Sequence, residues 1–231
     1  MFSAISARYD LLNTVLSFAR DRHWRTFTTT TLALKGDEVV LDVATGTGRL
    51  ARELAGGLSK GGRVVGTDFC RNMLRRAKES DSSLDLLLAT ADNSPFRDNT
   101  FDCATIAFAL RNVPDIEASL SETARVVRSG GKIVCLEFSR PRNRVLRAAH
   151  RLYLTTLLPL IGLLLSGNKE AYSYLGQSIM GFCHPTELKQ IMERSGMTEV
   201  QFRPLTWGVV TVHTGVVSSI RTPATNDASS Q

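Results

Sequence analysis

The sequence lacks a pair of closely spaced cysteines. Its four cysteines, Cys70, Cys103, Cys135 and Cys183, lie far apart, and no Cys-x-x-Cys motif occurs. This spacing excludes the common cysteine zinc sites, and we predict no metal. We expect free thiols, at least partly buried, in a protein of a reducing compartment such as the cytoplasm.

The sequence also lacks an apolar run of the roughly 20 residues that a membrane-spanning helix needs. Its longest run, Leu152–Leu165, has 14 residues and is interrupted by Pro159 and Gly162. Residues Met1–Asp10 contain no apolar core of the length of a secretory signal. We therefore expect neither a transmembrane helix nor a signal peptide, and we expect the polar tail Thr222–Gln231 to be disordered.

Acidic residues are outnumbered by basic ones, and the net charge is +6. Such an excess suits either nucleic acid or an anionic membrane surface. Five arginines lie within residues 140–151, directly before the apolar run, and no nucleic-acid-binding motif occurs. Arginines beside apolar residues are typical of segments that lie at a membrane interface. We expect residues 140–182 to contact an anionic membrane surface, and we expect no nucleic acid; an ordinary helical cap with a solvated basic face is the alternative.

Short apolar runs alternate with helix-like segments along most of the chain, which indicates a mostly parallel sheet covered by helices on both faces. The predicted strands are Glu38–Leu41, Arg63–Thr67, Leu84–Ala89, Asp102–Leu110, Lys132–Phe138, Thr198–Phe202 and Gly208–Thr214. A turn at Ser129–Gly131 precedes the fifth strand, and a helix is predicted over Pro185–Ser195. We predict a Rossmann-like α/β domain over residues 1–221, with a seven-stranded sheet and a helical cap inserted after the fifth strand.

A glycine turn follows the first predicted strand, in the sequence Asp42-Val-Ala-Thr-Gly-Thr-Gly48. A helix is predicted from about Arg49, and the second strand ends at Asp68. This order of strand, turn, helix, strand and acid is typical of a site for a nucleotide-type cofactor. The spacing of the glycines fits either a nicotinamide dinucleotide or S-adenosylmethionine.

Two acidic residues favour S-adenosylmethionine. Asp42 can receive the methionyl ammonium, whereas it would repel a pyrophosphate. Ala91 and Asp92 follow the third strand and are well placed for the adenine edge. Structural roles are the alternatives: Asp42 and Asp68 as residues that cap turns at strand ends, and Asp92 as a helix N-cap or turn residue.

Several segments together resemble the ubiquinone/menaquinone biosynthesis C-methyltransferases, a branch of the class I S-adenosylmethionine-dependent methyltransferases. The segments that carry the resemblance are Tyr9–Asn13, Leu41–Gly48, Pro95-Phe96, Leu110–Val113, Arg125–Gly131, Leu136–Ser139, Tyr172–Leu175 and Gly208…His213-x-Gly215. The chain departs from the family at Asp21, Thr90 and Ala107, where His, Asn and Ser are usual.

The resemblance implies methylation of a ring carbon of a prenylated hydroquinone, which is demethylmenaquinol, the benzoquinol precursor of ubiquinone, or both. It also implies a set of cofactor-binding residues, namely Asp42, Gly46, Thr47, Gly48, Asp68, Met73, Thr90, Ala91 and Asp92. Tyr9 resembles part of the family's N-terminal lid and is a candidate for a cation–π contact with the sulfonium; core packing is the alternative.

Methylation of a ring carbon requires a nucleophilic ring, and a phenol becomes a strong carbon nucleophile when it loses its proton. Because a phenol titrates near pH 10, the site must stabilise the phenolate. Arg111 and Asn112 follow the fourth strand, where such sheets bind ligands. We expect Arg111 to stabilise the phenolate and Asn112 to hydrogen-bond a ring oxygen; a salt bridge is the alternative for Arg111.

Two histidines have structural interpretations. We expect His213 to be a core residue, with a contact in the substrate pocket as the alternative, and His184 to start a helix. Other functions also stay open at this point: a methyltransferase for another small molecule, a nicotinamide-dependent oxidoreductase, and a non-catalytic scaffold. The oligomeric state is open as well, with a homodimer as one alternative.

Overall fold

The computed structural model describes residue 14 and residues 17–166 and 169–219. Seven strands form one sheet in the order β3-β2-β1-β4-β5-β7-β6. The first five strands are parallel, and β7 runs antiparallel to both β5 and β6. The predicted α/β fold with a seven-stranded, mostly parallel sheet is confirmed.

The elements follow the predicted alternation. The strands are β1 Val39–Val43, β2 Arg63–Asp68, β3 Asp85–Leu88, β4 Phe101–Ala107, β5 Val127–Phe138, β6 Met197–Leu205 and β7 Val210–Val217. The helices are α1 Arg20–Leu32, α2 Arg49–Ala55, α3 Arg71–Ser80, α4 Ile116–Val126, α5 Arg144–Leu152, α6 Leu158–Ser166, α7 Lys169–Gly181 and α8 Pro185–Arg194. Short helical turns lie at Leu110–Asn112 and Thr206–Gly208, and a π-helical turn, Tyr153–Leu157, joins α5 to α6.

The sheet is buried on both faces because its central strands are apolar almost throughout. Side chains such as Leu41 and Ile106 pack on one face against helices α4 and α8. Val40 and Leu136 point to the other face, where they pack with Trp24 of α1 and with residues of α2. Alternate residues of each strand therefore belong to two separate cores, as expected of a sheet that helices cover on both faces.

The segment between β5 and α8 forms a helical cap with a small core of its own. Leu154, Leu158 and Ile179 are among its buried side chains. Its helices pack closely, since a Cβ at Gly162 would stand 2.1 Å from Tyr172 Cδ2. In the part of the chain that the structure describes, every helix is too short or too polar to cross a bilayer.

The main difference from the prediction lies at the start of β5. The sequence predicts a turn at Ser129–Gly131, yet the strand already begins at Val127, which pairs with Phe101. The register then shifts before Lys132 pairs with Cys103, so the glycines lie in an irregular part of the strand. A Cβ at Gly131 would stand 2.5 Å from the carbonyl oxygen of Asp102, which explains the need for glycine there.

The remaining structural predictions have mixed outcomes. The cysteines are free, with Cys70, Cys103 and Cys135 buried and Cys183 partly exposed. His184 begins α8 as predicted, since its Nδ1 accepts a hydrogen bond from the Thr186 backbone N–H. The predicted disordered tail, residues 222–231, lies outside the described residues.

Candidate active site

A cavity of about 900 Å³ opens at the carboxyl ends of the parallel strands, beside the point where the strand order reverses between β1 and β4. Open α/β sheets bind ligands at this position. Ten predicted site residues line the cavity: Asp42, Gly46, Thr47, Asp68, Met73, Thr90, Ala91, Asp92, Arg111 and Asn112. The structure therefore brings residues from four strands and their loops around one space.

Two predicted site residues are not in this lining. Tyr9 lies outside the described residues. Gly48 does not line the cavity and instead begins α2 with φ 76°. A Cβ on Gly48 would stand 3.0 Å from Leu84 Cδ1 and 3.1 Å from Ala77 Cβ, so this glycine permits close packing of the turn against α3 and the loop before β3.

The glycine turn is held open toward the cavity by Asp68. One carboxylate oxygen of Asp68 accepts from the Gly46 N–H at 2.9 Å, and the other accepts from the Cys70 N–H at 2.8 Å. Gly46 has φ 60°, and a Cβ there would meet no heavy atom within 4 Å. The backbone of the turn thus borders open space, as a close approach to a ligand requires.

Asp42 is a buried acid at the end of β1. Its two oxygens accept hydrogen bonds from Thr45 Oγ1 at 2.6 Å and from Thr105 Oγ1 at 2.7 Å. Burial raises the pKa of the Asp42 carboxyl to about 6, although both hydroxyl donors oppose the shift. A nearby cation is the natural partner for such a carboxylate, because it would offset the cost of burying the charge.

The far end of the cavity floor is formed by the loop after β3. Thr90 makes an isolated antiparallel bridge to Asn93, which turns the chain at this point. Asp92 is exposed and lines the cavity, and the buried Met73 of α3 lines it as well. The loop therefore offers a carboxylate to the cavity, and α3 offers an apolar side chain.

Arg111 forms a buried ion pair with Glu137. Arg111 Nη1 donates to Glu137 Oε1 at 2.7 Å and to the Phe108 carbonyl oxygen at 2.6 Å. Only 5% of the Arg111 side chain and 2% of the Glu137 side chain are exposed. Burial raises the pKa of the Glu137 carboxyl, and Arg111 opposes that shift. The guanidinium also stands 5.2 Å from the ring centroid of Phe138.

Of the side-chain nitrogens of Arg111, Nη1 makes these bonds, whereas Nη2 and Nε have no partner among the described residues. Among the described residues, no acceptor lies within hydrogen-bond reach of Arg111 Nε, although this atom is buried. A buried donor without a partner costs roughly 1–3 kcal/mol, whereas the guanidinium as a whole lines the cavity and can meet a ligand there. The salt bridge and the ligand-facing role are therefore compatible in one side chain.

Asn112 connects the sheet to the cap. Its Oδ1 accepts a hydrogen bond from the hydroxyl of Tyr174 in α7 at 3.2 Å. Both residues line the cavity, so the cap closes over the carboxyl ends of β4 and β5. The amide nitrogen of Asn112 remains a candidate donor to a ligand oxygen.

Sequence reasoning missed two pairs that shape the site. The partner of Arg111 could have been suspected, because Glu137 is an acid in an apolar strand and such acids are usually paired. The second pair joins Asp21 to Arg49, with Asp21 Oδ2 at 2.7 Å from Arg49 Nη1. It ties the start of α1 to the first residue after the glycine turn, a contact for which the sequence carries no spacing signal.

His213 lies away from the cavity. It is 1% exposed in β7, and its Nε2 is 3.0 Å from the Pro185 carbonyl oxygen. Burial lowers the pKa of His213 to about 4. The core role that the sequence predicts agrees with this position, and the alternative of a pocket contact does not.

Comparisons with known proteins agree with this geometry. The model of the ubiE/COQ5 methyltransferase family matches residues 1–217. A demethylmenaquinone methyltransferase of Bacillus cereus is 40% identical over 221 residues, which cover 94% of this chain and 93% of that protein. A demethylmenaquinone methyltransferase of Bacillus anthracis matches to the same extent.

Solved structures share the fold at low sequence identity. The methyltransferase bound to the Haloferax volcanii Trm112 activator superposes with a TM-score of 0.67 at 19% identity, over 94% of this chain and 98% of that one. A SAM-dependent methyltransferase of Thermotoga maritima gives 0.65 at 18% identity, over 93% and 97%. With the site, the family match and the 40% identical relatives in agreement, the chain belongs to the ubiE/COQ5 methyltransferase family and is an S-adenosylmethionine-dependent methyltransferase.

Proposed function

We propose that the protein transfers a methyl group from S-adenosylmethionine to a ring carbon of a prenylated hydroquinone, with demethylmenaquinol as the acceptor. The single observation that carries the proposal is one continuous cavity, which runs from the acids of the glycine turn past Arg111 to the apolar core of the cap. The relatives named demethylmenaquinone methyltransferase favour this acceptor. The benzoquinol precursor of ubiquinone is the alternative acceptor for the same chemistry.

The residues at the sheet end fit S-adenosylmethionine. Asp42 offers a buried carboxylate for the methionyl ammonium, and Gly46 leaves open space for the ligand beside the turn. Asp68 and Asp92 offer acceptors for ribose hydroxyls and for the adenine edge. Thr47, Met73, Thr90 and Ala91 complete this binding surface. When bound, the cofactor supplies an electrophilic methyl group on a positively charged sulfur.

The residues at the other end fit an aromatic ring with an apolar tail. The Arg111 guanidinium lines the cavity and can stabilise a phenolate oxygen, and Asn112 can donate to a second ring oxygen. Beyond them the cavity is lined by apolar cap residues, which include Leu154, Leu158 and Ile179. A ring held at Arg111 therefore places a prenyl chain among aliphatic side chains, where its transfer from water is favourable.

Arg111 acts through charge rather than as a base in this proposal. A guanidinium does not release its proton in proteins, because its pKa exceeds about 12. Glu137 and the Phe108 carbonyl hold Nη1 in place, so the orientation of the guanidinium is set before the acceptor binds. Donors that are oriented in advance are the most effective at stabilising developing charge.

The cap has the composition expected of a membrane-facing element. Arg144, Arg147 and Arg151 lie three and four residues apart on one face of α5, and no residue of this helix is buried. Val145 and Leu152 lie on another face and are exposed. We infer that α5 rests on an anionic bilayer, from which a prenylated acceptor enters the cavity.

Lipid extracts test the proposed acceptor. In cells that lack the gene, mass spectrometry should show a menaquinone lighter by one methyl group, and expression of the protein should restore the full mass. Purified protein should also methylate a soluble, short-chain demethylmenaquinol with S-adenosylmethionine. An unchanged quinone profile together with no turnover of the short-chain acceptor would point to another small-molecule substrate or to a non-catalytic role.

A further inference from the structure

The two most exposed aromatic side chains of the described residues stand at the mouth of the cavity. Trp207 and Phe18 are each 76% exposed, and both line the cavity. They come from opposite ends of the chain, one from the turn between β6 and β7 and the other from the residues before α1. Large aromatic groups are costly to leave in water, so two of them at one opening point to a surface that is covered in use.

Both aromatics are held in left-handed backbone conformations. Trp207 has φ 55° and ψ 24°, and Phe18 has φ 52°. Such conformations are unfavourable for residues other than glycine and persist where neighbouring contacts impose them. The Trp207 turn is fixed by Trp24 Nε1, which donates to Thr206 Oγ1 at 2.8 Å, and by Ser139 Oγ, which donates to the Gly208 carbonyl oxygen at 2.8 Å.

The same turn lies against the start of the basic segment. A Cβ at Gly208 would stand 3.4 Å from Pro141 Cα, two residues before the N-cap of α5. On the other side, the ring of Phe18 is 6.1 Å from the ring of Tyr153, directly after α5. The two aromatics and α5 therefore border one opening, and Leu146 of α5 lines the cavity beside them.

The segment of the cap that borders this opening carries charge of one sign. Residues 138–169 contain five arginines and one lysine but no aspartate or glutamate. Arg144, Arg147 and Arg151 make no ion pair with any acid in the described ranges. Exposed tryptophan beside unpaired arginines matches the headgroup region of an anionic bilayer, which offers both phosphate groups and apolar carbon.

We propose that Trp207 and Phe18 insert into an anionic lipid bilayer, so that the cavity mouth opens into the membrane. The inference rests on the proposed function, because it names the surface from which a prenylated acceptor reaches Arg111. Trp207 and Phe18 act as two anchors beside α5, and the arginines hold lipid phosphates around them. The opening between these elements then lies at the depth of the bilayer at which a quinol headgroup lies.

The tryptophan content of the chain offers a direct test. The sequence has two tryptophans, of which Trp24 is 3% exposed and Trp207 is 76% exposed. Vesicles of phosphatidylcholine with phosphatidylglycerol should shift the emission to shorter wavelength and shield it from acrylamide. Brominated lipids should quench it. In Trp207→Phe, the remaining Trp24 emission should not respond to vesicles.

Affinity measurements complete the test. Trp207→Ala should weaken binding to the anionic vesicles on the order of tenfold, given the apolar area of a tryptophan. The matched control is Leu88→Ala, since Leu88 is 47% exposed on the distant edge strand β3 and does not line the cavity. Its affinity should equal that of the unaltered protein.

Three results would overturn the inference. Trp207 emission that is already blue and shielded without vesicles means that another segment or a second copy covers it. Emission that vesicles leave unchanged means that Trp207 does not enter the bilayer. Equal responses to neutral and anionic vesicles contradict the anionic surface. Because these measurements use neither acceptor nor cofactor, they can fail while turnover of a short-chain quinol succeeds, and the reverse also holds.

Discussion

The two sides of the cavity differ in how their residues are held. On the sheet side, Asp42, Asp68 and Arg111 are buried or nearly so, and each is fixed by short hydrogen bonds. On the cap side, α5 has no buried residue, and Trp207 points into solvent. Preorganised charge suits chemistry, whereas an exposed surface of arginines and apolar groups suits contact with a bilayer. Changes on the sheet side should therefore affect any acceptor, and changes on the cap side should depend on a membrane.

The largest effect is expected at Arg111. Arg111→Ala should lower kcat by ~10²–10³-fold, because it removes an oriented donor from the position of developing negative charge. S-adenosylmethionine affinity should stay close to normal. Turnover of a short-chain quinol and isothermal titration of the cofactor measure the two quantities. Near-normal kcat with intact cofactor binding would eliminate Arg111 as the phenolate-stabilising residue.

The control for Arg111 uses its partner. Removal of one member of a buried ion pair costs roughly 3–5 kcal/mol, so Arg111→Ala also destabilises the fold. The double variant Arg111→Ala, Glu137→Gln removes the unpaired charge and should regain much of the stability without regaining activity. If activity returned with stability, the loss in the single variant would reflect folding rather than chemistry.

The second effect concerns Asp42 and pH. Its pKa is raised to about 6 by burial, and only the ionised carboxylate attracts an ammonium group. Cofactor affinity should therefore fall as pH decreases through 6. Asp42→Asn should lower affinity at pH 8 by roughly 10–100-fold, as for loss of a charged hydrogen bond, and should remove the pH dependence. Calorimetric titrations between pH 5 and pH 8 measure both, and a variant with the same pH profile as the natural protein would exclude Asp42 as the titrating group.

The same contrast between sheet and cap separates what sequence can predict from what it cannot. The apolar runs and the glycine turn fix the order of β1, α2 and β2, because burial and backbone freedom are local properties. The positions of Asp42 and Asp68 at strand ends follow from that order. The sequence pattern alone therefore predicts most of the sheet side.

Contacts between distant segments were harder to predict. Arg111 and Glu137 are 26 residues apart, and their pairing depends on β4 and β5 being neighbours in the sheet. Trp207 was overlooked because its exposure results from a left-handed turn that no glycine or proline at that position signals. The cluster of arginines before the apolar run is visible in the sequence, but the place of α5 beside the cavity mouth requires the structure.

The third effect is on stability rather than on catalysis. His213 has a folded pKa of about 4, below the ordinary value near 6.5, so the unfolded chain binds a proton that the folded chain does not. The contribution of His213 should therefore lower the free energy of unfolding as pH decreases from about 6.5 toward 4, by on the order of 2 kcal/mol between pH 7 and pH 5. His213→Gln should flatten this fall. The urea concentration at the midpoint of unfolding, measured at pH 7 and at pH 5, tests this prediction.

Asp42 changes stability with pH in the opposite direction to His213. The prediction therefore compares His213→Gln with the natural protein. Its raised pKa means that the folded state binds the extra proton between about pH 4 and 6, which favours folding as pH decreases. Asp42 is present in both proteins, so the difference between their slopes of unfolding free energy against pH reports His213 alone. Identical slopes in both proteins would show that His213 does not titrate in this way.

The smallest effect is expected on the cap, where single charges act through solvent. Arg147→Ala should weaken binding to anionic vesicles about fivefold at low salt, since each arginine near such a surface contributes about 1 kcal/mol. Arg63→Ala removes the same charge from an exposed position at the start of β2, at the end of the parallel strands opposite the cavity, and serves as the control. Vesicle sedimentation at low and high salt measures both, and the difference should vanish at high salt because screening shortens the reach of each charge. Equal losses in the two variants would mean that net charge, rather than α5, brings the protein to the membrane, and the contrast between the two sides of the cavity would then rest on the sheet side alone.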